Sequence, residues 1–392
     1  MRSWMRLTYG AAIICAASAT GAAGALAGGV ASASDAAASV SPAWYTNYVS
    51  PHGSIHYANR SCATARFRRV QAAVTATAVG GTVIVCRGVY RESVTVTKPL
   101  VIQGRRGAVI NAKGGPYAIG LAHSYVQVRG LTVENATANS KTGAPGDGII
   151  TAGFVNGKPV AANHETIIDN IARNNQGAGI DLNSTSWSQA LGNVAHGNSV
   201  GINLSNDLGK PDAHNLVRGN IASHNPGGCG IALADHTGAG VYDNLITGNI
   251  ADYNGLGTPR RPNASSGSGV ILAAAGKTGG VWGNVIKGNR MMGNGHGGVA
   301  LHAHQKGPDF NGNWIIDNAI GKNNLRTDYK DLATTGIYLG SAGKVTITIT
   351  HNLIYNNRIG IFAAGPVTVR GKYFNLFRRV KRRFVHIPKY AG

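Results

Sequence analysis

Asn193-Val-Ala-His-Gly-Asn198-Ser-Val-Gly201-Ile-Asn-Leu204 is echoed 27 residues later by Asn220-Ile-Ala-Ser-His-Asn225 and Gly230-Ile-Ala-Leu233. The same two phrases, Asn-x-x-x-x-Asn and then Gly-apolar-x-apolar, run in order seven times. The Asn pairs are Asn170/Asn175, Asn193/Asn198, Asn220/Asn225, Asn249/Asn254, Asn289/Asn294, Asn318/Asn323 and Asn352/Asn357. The glycine phrases open at Gly179, Gly201, Gly230, Gly269, Gly298, Gly336 and Gly360. Successive first Asn residues lie 23, 27, 29, 40, 29 and 34 apart.

In Gly-Ile-x-Leu the apolar residues alternate, so on a strand they share one face. One such strand cannot bury that face alone. Stacking successive coils lays like strands side by side, ~4.8 Å apart, and encloses an apolar interior. Asn and Gly suit the corners because both tolerate left-handed backbone. Recurring Asn also stacks amide on amide along the axis. The uneven intervals place insertions in the turns. A leucine-rich or ankyrin-like array lacks support, since no helical period appears, and a propeller needs four antiparallel strands per blade. The pattern therefore predicts an all-β parallel β-helix solenoid of about ten coils.

Upstream, residues 67–78 read as a short amphipathic helix ended by Gly80-Gly81, placed to cap the open first coil. Short strands follow at Thr82–Val85, Ser93–Thr97, Leu100–Ile102 and Ala108–Ile110. Val70-Gln-Ala-Ala-Val74, Gly80-Gly-Thr-Val-Ile-Val-Cys86, Arg87-Gly-Val-Tyr-Arg-Glu92 and Lys98-Pro-Leu-Val-Ile-Gln-Gly104 resemble the first coils of secreted right-handed parallel β-helix proteins. These form the pectin-lyase-like superfamily, which includes repeat proteins related to the nitrous-oxide accessory protein NosD. The resemblance covers roughly residues 60–370 and implies a right-handed parallel β-helix. It also implies a wide choice of activity: lyases, polygalacturonases, methylesterases, epimerases, tailspikes and non-enzymatic members.

Gly is 56 of 392 residues, charged residues are 14%, and the formal net charge is +21. No Gly-X-Y period or coiled-coil pattern exists, which excludes collagen and long coiled helices. The charge sits at the ends: residues 60–129 carry eleven Lys/Arg against Glu92 alone, and 370–392 carry eight with no acid. Basic ends on a near-neutral body imply a polyanionic partner, an acidic polysaccharide or anionic cell-wall polymer. No nucleic-acid-binding motif is visible. The reading of the chain is a signal peptide over 1–33, ending at Ala31-Ser32-Ala33, then a linker over 34–59, the β-helix over 60–369 and a basic cap over 370–392. No later apolar run approaches a transmembrane length, and capped ends suit a monomer. In a secreted chain Cys62 and Cys86 are expected to form a disulfide, leaving Cys229 as an unpaired, small apolar residue.

Numbering from each repeat Gly, positions +1 and +3 point inward and +2 and +4 outward. Asp181, Asn203 and Tyr338 fall at +2, Asn183, Ser205 and His302 at +4, and Asn206/Asp207, Asp235/His236 and Ala303/His304 at +5/+6. Insertions after Asn254 and Asn323 flank the coil that carries Leu301-His302-Ala303-His304-Gln305-Lys306, and loops on rigid scaffolds gather binding residues. Proton abstraction from a uronate needs a base and a cation for the carboxylate. The expected base is His302 or His304. The expected substrate-binding residues are Arg260, Arg261, Lys306, Arg326, Tyr329, Lys330, Asp207, Asp235 and His236. Asp207 and Asp235, on adjacent coils, are the carboxylates that hydrolysis would need. His-x-His is a weak metal signal, and no acidic cluster supplies a Ca²⁺ site, so neither metal nor cofactor is expected. Gly295-His296-Gly297 matches only one fragment of the polygalacturonase pattern and reads as a turn. The sequence thus points to a secreted protein that binds an acidic polysaccharide, with lyase- or epimerase-type processing. A non-catalytic surface or adhesion module is the alternative.

Overall fold

The computed structural model describes residues 44–54, 58–257, 267–325 and 334–388. The chain winds as a right-handed parallel β-helix. A twelve-stranded and an eleven-stranded sheet form two faces, and a six-stranded and a four-stranded sheet share the third. Every pairing inside these sheets is parallel. Hairpins over 138–145 and 152–161 supply antiparallel pairs outside them.

Register follows the repeat. Ile119, Ile149, Ile180, Ile202, Ile231, Val270, Val299, Ile337, Ile361 and Phe384 pair in one unbroken row of the eleven-stranded sheet. The aliphatic members of that row are wholly buried. The Asn phrases form the expected ladders. Along Asn170, Asn193, Asn220, Asn249, Asn289, Asn318 and Asn352, each residue donates its backbone N–H and its Nδ2 to the Oδ1 of the one that follows. The ladder starting at Asn175 repeats this through Asn323. Close packing against it explains the repeat Gly: a Cβ on Gly201 would lie 2.8 Å from Asn225 Nδ2 and 2.5 Å from Gly230 O. A third ladder runs Ser188, Asn215, Asn244, Asn284, Asn313.

The ends differ from the sequence reading. Trp44–Val49, in the stretch assigned to a linker, pairs with Thr77–Val85 as the first strand of the twelve-stranded sheet. Its Asn47 and Val49 are buried, so this strand already has an inward face. The basic segment after 370 adds strands Leu376–Arg378 and Arg382–Ile387 to two of the sheets. The capping helix is shorter than expected, Val70–Ala76, burying Val70, Ala73 and Val74. From Thr77 the chain is already extended and paired along the sheet. Glu92, the lone acid among the eleven bases, accepts the Val70 N–H at 2.7 Å and the Gln71 N–H at 3.1 Å, satisfying donors that open a helix. Cys62 and Cys86 are disulfide-bonded, Cα atoms 5.7 Å apart. Cys229 is buried as expected but is not a free thiol; the expectation of an unpaired residue fails because its sulfur is oxidised. The predicted signal peptide lies outside the described residues. Among the described residues no helix is long and apolar enough to cross a membrane.

One carboxylate sits in a ladder otherwise built from neutral groups. Glu165 is fully buried and accepts the Val126 N–H at 3.0 Å, while its Oε1 has no partner. Burial pushes its pKa up to about 9 from 4.5. The folded state then holds a proton that the unfolded chain releases, so stability is greatest below the unfolded pKa and declines as pH rises toward the folded one. Glu165→Gln should remove this slope, about 1.4 kcal/mol per pH unit across that window. Melting profiles of parent and variant recorded against pH should converge in acid and part in base. Parallel profiles would rule out the buried neutral carboxyl.

Candidate functional site

The outward face of the eleven-stranded sheet differs from the other outward faces. Ile171, Ile221, Leu245 and Trp314, on the other sheets, are exposed. Here Asp181, Asn183, Asn203, Ala232, Ile271 and Ala300 are all buried, although they point away from the core. Sheltered polar groups must be satisfied locally, and these form two stations along one face.

The first station lies on the coils of Ala178–Asn183, Val200–Ser205 and Ile231–Asp235. Asp181 stands opposite Asn203 and Asn183 opposite Ser205. Asn203 Nδ2 donates to Asp181 Oδ1 at 2.9 Å, and Asn183 Nδ2 donates to Asp181 Oδ2 at 3.1 Å and to Asp207 Oδ2 at 2.8 Å. Ser205 Oγ lies 3.1 Å from both carboxylates. In the turn, Asp207 Oδ1 accepts the Nδ1–H of His236, 2.5 Å away. The other ring nitrogen, His236 Nε2, has no partner. Asn183 Oδ1 and Asn203 Oδ1 are likewise buried acceptors without a donor.

Electrostatics follow from this crowding. Burial, then the nearby Asp207 charge, pushes Asp181 up to about 7. Asp147 rises well above the usual range, through burial first and the Asp181 charge second. Burial alone would lower His236, but its hydrogen bond to Asp207 and that residue's charge carry it above its ordinary value. Asp235 has another role. Its Oδ1 accepts from Asn206 Nδ2 at 2.6 Å and the Gly238 N–H at 2.7 Å, and its Oδ2 from the Gly280 N–H at 2.5 Å. Wholly buried, it holds the turn together, and both its oxygens are engaged. It therefore does not pair with Asp207 as a second hydrolytic carboxylate.

The second station lies two coils further on, ~10 Å along the axis. His302 projects from Val299–Ala303, its ring centroid 5.2 Å from Tyr338, 5.2 Å from His296 and 5.6 Å from His304. Tyr338 stacks on Phe362 at 5.5 Å. Between the stations the outward residues are Ala232, Ala234, Ile271 and Ala273. Burial, with His296 and His304 beside it, holds His302 well below its usual pKa, and burial lowers His304 as well. Lys306 is exposed in the following turn. Arg260, Arg261, Arg326, Tyr329 and Lys330 lie outside the described residues. Reading the outward positions located Asp181, Asn183, Asn203 and Ser205 on one face but gave them no role. Asp147 was missed because its coil lacks the Asn phrase that marks the others.

Family models match two overlapping parts of the chain: "Periplasmic copper-binding protein (NosD)" over residues 88–258 and "Right handed beta helix region" over 209–374. No curated protein matches the chain. Solved structures share the fold. The A-module of an Azotobacter vinelandii mannuronan C-5 epimerase aligns at 20% identity, TM-score 0.55, covering 82% of this chain and 93% of that one. A pectate lyase aligns at 16% identity, TM-score 0.52, covering 84% and 78%. A surface adhesin of Streptococcus pneumoniae aligns at 15% identity, TM-score 0.50, covering 80% and 85%. Among the described residues no three His, Cys, Asp or Glu converge on one ion. His302 instead lies nearly parallel to the Tyr338 ring.

Proposed function

We propose that this chain, a pectin-lyase-like right-handed parallel β-helix protein, works outside the cytoplasm, binding an acidic polysaccharide along the outward face of its eleven-stranded sheet. There it acts by lyase- or epimerase-type chemistry. The observation that carries this reading is His236: one ring nitrogen is fixed by Asp207 and the other is unbonded. A carboxylate that orients an imidazole and raises its basicity is the arrangement a general base requires. Beside it, Asp181 keeps its proton up to about pH 7 and is the donor to a uronate carboxylate. With that carboxylate neutralised, and with the turn around Asp207 and His236 displaced to admit the sugar, His236 Nε2, buried in the free protein, removes the C5 proton. The resulting enolate either takes a proton on the opposite face or expels the C4 substituent.

The base role moves from His302 and His304 to His236 for a physical reason. Burial weakens His302 as a base, and no carboxylate orients it. The His302–Tyr338–Phe362 stack instead offers a flat aromatic platform for a neighbouring sugar. Export agrees with the Cys62–Cys86 disulfide. The test is incubation of the purified mature chain with alginate, pectate and other uronans. Ultraviolet absorbance follows new double bonds, and NMR follows inversion at C5. Either product supports the reading. Binding without turnover would return the chain to the non-catalytic, adhesive class.

A further inference from the structure

The last coil is unlike the rest of the solenoid. Val367–Arg370, Leu376–Arg378 and Arg382–Ile387 are the terminal strands of three sheets, each paired on one side only. Inside this coil Phe377, Val380 and Phe384 close the core but stay half-buried. Around them Arg370, Arg378, Arg379, Lys381, Arg382 and Arg383 are exposed. Segment 370–392 contains no acid, and no ion pair among the described residues involves these side chains. At the corner Tyr373 and Phe374 are 85% and 70% exposed, and Leu376 is 53% exposed. The Lys372 Nζ lies 4.3 Å from the Phe384 ring centroid and 5.2 Å from that of Tyr373.

We propose that this end face docks the protein on an anionic lipid bilayer surface. This goes beyond the polysaccharide reading and uses none of its residues. Two features select the occupant. The uncompensated ring of cations requires a dense negative surface. The exposed Leu376, 53% open beside Tyr373 and Phe374, favours an apolar phase over a sugar face, and the headgroup–acyl boundary offers one to all three. Another copy of the chain stacked end to end is disfavoured by charge, since residues 60–129 at the opposite end are also strongly basic. Strand addition is opposed by the Arg and Lys residues along the open edges.

The experiment is co-flotation of the purified chain with vesicles of phosphatidylglycerol and phosphatidylcholine mixed, against phosphatidylcholine alone. Expected is binding to the anionic vesicles only, weakened by salt. Tyr373→Ser with Phe374→Ser should weaken it about tenfold or more, and so should Arg378→Gln with Arg379→Gln and Arg382→Gln. Tyr373→Trp, which keeps an amphipathic ring, should retain binding and controls for misfolding, as do unchanged melting curves of the exposed-site variants. Equal binding to neutral vesicles would overturn the proposal. So would no binding at all, or an aromatic double variant that binds like the parent while the arginine variant alone fails. That last result would mark a generic polyanion patch.

Discussion

Asn249→Leu is expected to lower the free energy of unfolding by roughly 3–5 kcal/mol, although leucine keeps the branched shape of asparagine. Asn249 is buried mid-ladder. Its Oδ1 accepts the Asn220 N–H and the Asn220 Nδ2, each at 2.9 Å, and its Nδ2 donates to Val217 O and Asn289 Oδ1, each at 2.9 Å. Leucine supplies none of these, so on the two flanking coils the Asn220 N–H loses its acceptor, and Asn220 Nδ2, Val217 O and Asn289 Oδ1 each lose a bond, at about 1–3 kcal/mol for each group orphaned. Position along the solenoid should matter too. Each coil contacts only its neighbours, so a central fault splits the cooperative unit. Asn375→Leu, in the half-buried last rung that bonds only Asn352 and nearby carbonyls, should cost less than half as much. Calorimetry on both variants checks this. A loss under about 1 kcal/mol at Asn249 would show that the ladder does not hold the coils together.

The ladder was legible because it imposes a spacing rule on the sequence. Where Asn220 and Asn225 recur, Gly230 must follow, since Asn254 Nδ2 would lie 2.7 Å from any Cβ there. The same column logic reached into the site. Asp207 and His236 occupy the same position on successive coils, as do Asn206 and Asp235, and both pairs bond. The sequence could not say which pair faces a ligand. That depends on the turn geometry that wraps Asp235 in the N–H groups of Gly238 and Gly280. Nor could it rank the bases. His302 looked the better candidate because it lies between two long insertions, yet its basicity falls with burial that no local pattern reports. The first strand went unread for a related reason: Trp44–Val49 lacks the repeat phrases and joins its sheet through backbone pairing with the coil beside it.

His236→Ala should reduce turnover of the responsive uronan by about 10²–10⁴-fold, the range that a positioned proton-transfer group contributes, with the melting temperature little changed. His302→Ala with His304→Ala should mainly raise KM, because those rings are placed here under a neighbouring sugar. Asp207→Asn separates a chemical role from a structural one. The amide can still bond the imidazole but no longer adds the charge that raises its pKa. Burial, the opposing influence, then dominates, and His236 titrates at lower pH. Loss of rate in acid, where the base is protonated, should therefore shift to lower pH in Asp207→Asn while the maximal rate falls. Decline in base, set in the parent by the Asp181 value of about 7, should also move to lower pH in Asp207→Asn, which removes a charge that helps raise Asp181, and should disappear in Asp181→Asn, which cannot ionise. A full rate in His236→Ala would remove the imidazole from the chemistry. An acid limb unmoved in Asp207→Asn would mean that a different group takes the proton, and the double His302/His304 variant would then be the first place to look for it.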